Sequence, residues 1–167
     1  GSTLGKIEIK GEDALEFMNL IYTNSFTKMK QGSARYALML GEDGMVKDDG
    51  IICKISDQHF IATTTTGGAA TVLGCMEEYA QTEWPNLKVF MNSITEQYAT
   101  FNISGPKTRE IMKKAFPNIN FSNEKFPFMT FQFHEFNGIP IRILRASFTG
   151  ELGYEIYIPS NSARKIW

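Results

Sequence analysis

Two adjacent carboxylates, Asp48 and Asp49, stand between a turn and an apolar run in Gly44-Met45-Val46-Lys47-Asp48-Asp49-Gly50-Ile51-Ile52-Cys53. Successive strand residues face opposite ways, so one acid points to solvent and the other to the interior or a cleft. A carboxylate turned inward on an apolar strand is costly unless it is paired, hydrogen-bonded or in use. The plainer alternative is two solvated acids close to a turn. A third acid, Glu151, lies in Phe148-Thr149-Gly150-Glu151-Leu152-Gly153, bracketed by glycines. Flanking glycines let the backbone turn tightly and leave room for a flat ligand. A carboxylate there can accept two parallel hydrogen bonds from an amidine-like or guanidine-like edge. An ordinary turn glutamate fits the same spacing.

Other polar motifs carry less. Thr63-Thr64-Thr65-Thr66-Gly67-Gly68 precedes a helix, but it lacks the glycine spacing and the Lys of a phosphate loop. Its threonines alternate on a strand end, and one of them is expected to cap the helix. His59 and His134 are far apart and read as a hairpin-loop residue and a strand-surface residue. Cys and His are too sparse for a zinc site, so no metal is expected. Cys53 has no cation placed by the sequence to lower its pKa, so it is not read as a nucleophile.

The elements that would position these groups follow from pattern. Lys6–Lys10 alternates as a strand, and Gly11 breaks it. Apolar residues at 14, 15, 17, 18 and 21 mark a helix over 12–22. Tyr36–Leu40 and the run after Asp49 make a hairpin about Gly41-Glu42-Asp43-Gly44. A strand over 58–64, a helix over 67–81 and a strand over 87–91 follow. The second half reads as a strand over 98–104, a break at Gly105, and a helix to Ala115 with Pro106 in its first turn. A hairpin about Asn137-Gly138, a strand over 154–158 and a helix from Asn161 complete it.

Laid side by side, the halves repeat at an offset near 95 residues. The fold class is α+β: two similar β-α-β-β-β-α units with antiparallel or mixed sheets. Residues 1–94 form the first unit and 95–167 a second, truncated one, together making one ligand-binding domain fragment. Ligand clefts favour the seam between such units, and both acidic segments are expected to reach it. The chain stops at Arg164-Lys165-Ile166-Trp167 within a helical pattern, as a piece of something longer would.

Composition narrows the classes. With 43% hydrophobic residues and 21% charged ones, the chain can build a core. Seventeen basic residues against eighteen acidic ones, with no basic stripe, disfavour a nucleic-acid partner. No apolar run approaches a membrane span, and no membrane association is expected. Two cysteines make no disulfide framework and suit the cytoplasm as reduced core residues.

The ordered segments Ser2-Thr3-Leu4-Gly5-Lys6-Ile7, Gly11-Glu12-Asp13-Ala14, Tyr22-Thr23-Asn24, Arg35-Tyr36, Glu42 to Gly50 and Phe148 to Glu155 resemble the aminomethyltransferase (glycine cleavage T-protein) family. Within it, the chain is most similar to the folate-binding portion of heterotetrameric sarcosine oxidase alpha subunits, through Ser2 to Lys6, the Asp48-Asp49-Gly50 variant and Thr63 to Gly68. The resemblance spans essentially the whole chain. It implies a tetrahydrofolate-dependent enzyme domain that passes the carbon from oxidised sarcosine to tetrahydrofolate, giving 5,10-methylenetetrahydrofolate. The alternatives it leaves are a T-protein-like or dimethylglycine oxidase-type aminomethyltransferase and a non-catalytic folate-binding module. Asp49 matches the family's essential acid beside the reactive folate nitrogens. Glu151 matches the glutamate that grips the pterin edge. Tyr36 and Ile51 match pocket-lining positions, and Leu144 is a weaker match. Other sarcosine oxidase subunits are implied as partners. Flavin and NAD are implied to bind outside this chain, which has no dinucleotide fingerprint. The family's C-terminal barrel, and a basic folate contact lying beyond Trp167, are absent from it.

Overall fold

A computed structural model describes residues 4–167. Ser2 and Thr3, which contribute to the family resemblance, lie outside the described residues. The backbone separates into two compact units, one ending at Glu96 and the other spanning Gln97–Trp167.

The first unit runs β1 (Gly5–Lys10), α1 (Ala14–Ile21), β2 (Ser33–Leu40), β3 (Val46–Ser56), β4 (His59–Thr64), α2 (Ala69–Thr82) and β5 (Phe90–Ser93). Its strands lie in the order β5-β1-β4-β3-β2, each pair antiparallel. Helix α1 buries Ala14, Phe17, Met18 and Ile21, the i, i+3, i+4, i+7 stripe of an amphipathic helix. These side chains and Val72, Cys75 and Met76 of α2 pack on Ile7, Ile9, Ala37, Met39, Ile52, Phe60 and Ala62 of the sheet. Burying a large apolar side chain contributes roughly 1.5–3 kcal/mol, so this layer holds both helices on one sheet face. The opposite face carries the alternate residues, among them Tyr36, Asp49, Ile51 and Thr63.

The second unit runs β6 (Tyr98–Ser104), α3 (Thr108–Ala115), β7 (Thr130–Phe136), β8 (Ile139–Arg145), β9 (Gly153–Pro159) and a short α4 (Ala163–Ile166). Its order is β7-β8-β9-β6, again antiparallel at each pair. Met112 of α3 packs with Ile141, Ile143, Tyr154, Ile156 and Ile158. Arg142, Leu144, Glu155 and Tyr157 therefore stand on the other face. The Asn137-Gly138 turn has φ of +50° and +77°, the pair of left-handed residues that a tight hairpin requires.

The internal repeat extends to single hydrogen bonds. Gly11 N–H donates to Gln58 O at 3.0 Å, and Gly105 N–H donates to Leu152 O at 2.9 Å. Ala14 N–H donates to Gly11 O at 3.2 Å, and Thr108 N–H to Gly105 O at 3.1 Å. Gly11 and Gly105 both have positive φ, +144° and +128°. The same joint, a left-handed glycine tying a strand end to a helix start and to the entry of a later strand, occurs once in each unit. Each unit is β-α-β-β-β-α, and the first adds β5.

Two local expectations change. No threonine side chain caps α2, whose N-cap residue is Gly68. Pro106 lies before α3, which starts at Thr108 rather than in the turn that holds the proline. In both places the chain ends its turn one or two residues later than the pattern suggests.

Candidate functional site

Strands β2 and β3 place the first group of candidates. Tyr36 pairs with Ile51 and Leu38 with Asp49, so Tyr36, Asp49 and Ile51 project from one face of the hairpin. The Tyr36 hydroxyl donates to Asp49 Oδ2. That bond, more than the modest desolvation and the negative charges of Asp49 and Asp48, pushes the Tyr36 phenol above its ordinary range. Tyr36 is 53% exposed, so the pair faces outward from its own sheet.

Asp48 goes the other way, as strand alternation requires. Its Oδ1 accepts from the Thr65 hydroxyl at 2.6 Å and its Oδ2 from Thr65 N–H at 3.2 Å. Both its oxygens are thus used on the turn before α2. The β2–β3 register slips between Met39 and Leu40: Met39 pairs with Asp48 and Leu40 with Val46, leaving Lys47 unopposed. This bulge sits next to the acids. Lys47 Nζ reaches Cys75 Sγ at 3.6 Å.

The threonine run has a mechanical role. The paired positions of β3 and β4 begin at Ile52 and Ala62. Beyond them the Thr63 hydroxyl accepts from Ile51 N–H at 2.8 Å and donates to Ile51 O at 3.2 Å. One side chain so serves both backbone groups that ladder pairing would otherwise satisfy. Thr63 and Thr65 brace β3 on either side of Asp49. Gly50 is required there: a Cβ at this position would lie 1.9 Å from Thr63 O.

In the second unit, Glu151 lies exposed in the turn between β8 and β9. Ser147 Oγ donates to Glu151 O at 2.6 Å and closes the turn, and Gly150 has φ of +80°. Glu151 lines an open hollow of about 530 Å³ together with Phe128, Arg145, Ser147, Gly150, Leu152 and Gly153. Leu144 does not share it. That side chain is fully buried on the face carrying Arg142, Glu155 and Tyr157. On this face Arg142 stacks 4.0 Å above the Tyr157 ring, and Tyr157 donates to Glu155 Oε2 at 2.6 Å.

The structure thus brings Tyr36, Asp49 and Ile51 together, gives Glu151 a hollow of its own unit, and leaves Leu144 in a packed layer outside that hollow. Sequence reading missed Thr63, Thr65, Arg145 and Phe128. Only the threonine run carried a visible signal, and it was read as cap chemistry. Among the described residues, no group of three His, Cys, Asp or Glu could hold a metal ion. No helix among them is long and apolar enough to cross a membrane. Both cysteines are buried.

The family model of the GCVT N-terminal domain matches residues 1–167. The chain is 51% identical to a sarcosine oxidase subunit alpha of Corynebacterium sp. (strain P-1), over 99% of this chain and 17% of that protein. It is 48% identical to the corresponding subunit of strain U-96, with the same coverage. The chain therefore spans about a sixth of the length of these curated relatives. The crystal structure of glycine cleavage system aminomethyltransferase T from Bartonella henselae superposes with a TM-score of 0.84 at 22% identity, covering 99% of this chain and 42% of that one, which shows the shared fold. On the match along its whole length, the chain belongs to the aminomethyltransferase (glycine cleavage T-protein) family, as a GCVT N-terminal domain.

Proposed function

We propose that this chain is the folate-binding, one-carbon-transferring part of a sarcosine oxidase-type alpha subunit, delivering the carbon of oxidised sarcosine to tetrahydrofolate as 5,10-methylenetetrahydrofolate. The observation that carries the reading is the division of labour between the two acids. Asp48 is consumed by Thr65, whereas Asp49 is held by a single phenol and keeps its other oxygen for a ligand. An ionised carboxylate accepts at both oxygens, so Asp49 still offers an acceptor where Asp48 has both engaged. The donor set suits a reduced pterin. A carboxylate beside a phenol can meet a ring or anilino nitrogen, and Glu151 between two glycines can meet a flat edge carrying parallel N–H groups.

Bound tetrahydrofolate supplies the two nitrogens that receive the carbon. Asp49 orients them and takes or relays the proton that leaves. Tyr36 keeps the carboxylate in one rotamer. Ile51 lines the apolar wall beside it, and Leu144 supports the second sheet behind its surface. Glu151 grips the pterin edge. Positioning supplies most of the rate, because the nucleophile belongs to the ligand. Other subunits of a heterotetramer are the proposed partners, with flavin and NAD bound outside this chain, in the cytoplasm.

The test is Asp49→Asn in the complete enzyme. Folate-dependent trapping of formaldehyde is expected to fall by roughly 10²-fold or more, the span of a positioned proton acceptor, while sarcosine oxidation is retained. Unchanged methylenetetrahydrofolate yield would remove Asp49 from its role. Glu151→Ala is expected to weaken folate binding, and equal affinity by calorimetry would remove Glu151.

A further inference from the structure

We infer that Arg145 is a specificity-determining residue that reads a ring carbonyl beside the N–H pair held by Glu151, so that the two side chains together select a 2-amino-4-oxo pyrimidine edge. The inference rests on the folate reading of Glu151 and extends it to a residue that neither the sequence pattern nor the family resemblance singled out.

The observations are local to the second unit. Arg145 and Glu151 line the same hollow, and no ion pair joins them. Arg145 ends β8, where its Nη1 donates to Phe126 O at 2.6 Å, which fixes the plane of the guanidinium. Its Nε is buried without an acceptor. A guanidinium carries five N–H donors in a fixed fork, and a buried donor left unsatisfied costs free energy. A cation and an anion that border one hollow without pairing are matched by a ligand presenting donors to one and an acceptor to the other. The hollow has a flat wall in Phe128, 60% exposed, on which a ring can stack. Gly153 keeps the turn tight, since a Cβ there would lie 2.7 Å from Ala146 O.

Ring chemistry then fixes the order of groups. A carboxylate that accepts two parallel hydrogen bonds from a 2-amino-4-oxo pyrimidine takes the exocyclic amine and the adjacent ring N–H. The next atom along that edge is the 4-oxo oxygen, an acceptor. A 4-amino ring carries no hydrogen on that ring nitrogen, so Glu151 itself disfavours it. A charged donor beside the 4-position adds to the discrimination, because replacing the acceptor by an amine leaves two donors facing each other, and that added part is what Arg145 variants remove.

The experiment measures dissociation constants by calorimetry on the complete enzyme for tetrahydrofolate and for its 4-amino analogue, in the wild type, Arg145→Met, Arg145→Gln and Glu151→Gln. The wild type is expected to prefer the 4-oxo ligand by roughly 10- to 100-fold, the discrimination of a charge-assisted hydrogen bond. Arg145→Met is expected to shrink that ratio by about tenfold while Glu151→Gln weakens tetrahydrofolate itself. Arg145→Gln, which keeps a donor for Phe126 O, reads the same ratio if the methionine variant fails to fold. An unchanged ratio in a folded Arg145 variant, with Glu151→Gln still weakening tetrahydrofolate, overturns the role of Arg145 and leaves the folate reading standing. Unchanged tetrahydrofolate affinity in Glu151→Gln overturns both.

Discussion

Replacing Gly50 by alanine tests whether the backbone beside Asp49 is set by close approach of β4. The added Cβ would stand 1.9 Å from Thr63 O, 2.8 Å from Thr63 C and 3.2 Å from Thr63 Oγ1. Ordinary contact lies at about 3.4–4 Å, so Thr63 O would have to stand roughly 1.5–2 Å further away. The obstacle is backbone, and the Thr63 hydroxyl ties that backbone to Ile51, the residue after Gly50. Relief therefore requires β3 and β4 to part at the point where Asp49 is presented. Such overpacking costs about 1–3 kcal/mol, and a rigid neighbour puts Gly50→Ala at the upper end. For a chain of this length about 3 kcal/mol is a fall in melting temperature of roughly 6–12 °C. Displacing a positioned group by about 1 Å costs on the order of 10²-fold in rate, so formaldehyde trapping should fall along with stability. Gly44→Ala is the control. Its Cβ meets nothing within 4 Å, yet its φ is +78°, so it carries backbone strain alone. It should lower the melting temperature by an amount set by about 1–2 kcal/mol and leave trapping intact. The reasoning is refuted if Gly50→Ala melts with the wild type and traps formaldehyde at its rate.

Three further outcomes are expected. Thr63→Val, at a position 5% exposed, strands both backbone groups of Ile51 and should cost about 1–3 kcal/mol by urea denaturation; a midpoint equal to the wild type would show that neither bond matters. The Tyr36 phenol is held above its usual range by Asp49, so the stability from this bond is present below pH 10 and lost as pH rises through the higher folded-state value. Asp49→Asn should bring one tyrosine back toward ordinary titration in the ultraviolet difference spectrum, and identical wild-type and variant curves would count against the pair. Arg142, 5% exposed, stacks 4.0 Å above the Tyr157 ring, so Arg142→Met should cost about 0.5–2 kcal/mol; a stability equal to the wild type would show that the stack contributes nothing.

The elements were largely legible because their causes are local. Asn137-Gly138 announces a hairpin, and the spacing of Ala14, Phe17, Met18 and Ile21 announces a helix face. The opposite facing of Asp48 and Asp49 followed from strand geometry alone. Which acid is spent and which is free did not follow, because the Thr65 bonds to Asp48 span 17 positions. Thr63 looked like a helix cap for the same reason: its partner, Ile51, is on another strand. The bulge at Lys47 leaves no compositional trace. Arg145 was invisible because arginines at strand ends are common, and only the hollow shared with Glu151 distinguishes this one.

The irregularity at Lys47 has one more implication. Because the slip lies between the hairpin tip and Asp48, pairing from Asp48 onward is counted from the far end of β3, not from the tip. A one-residue change in the tip can be taken up there without inverting which acid meets Tyr36. The tip is thereby released to lengthen, shorten or acquire contacts of its own during descent, while the chemistry a few residues away stays in phase.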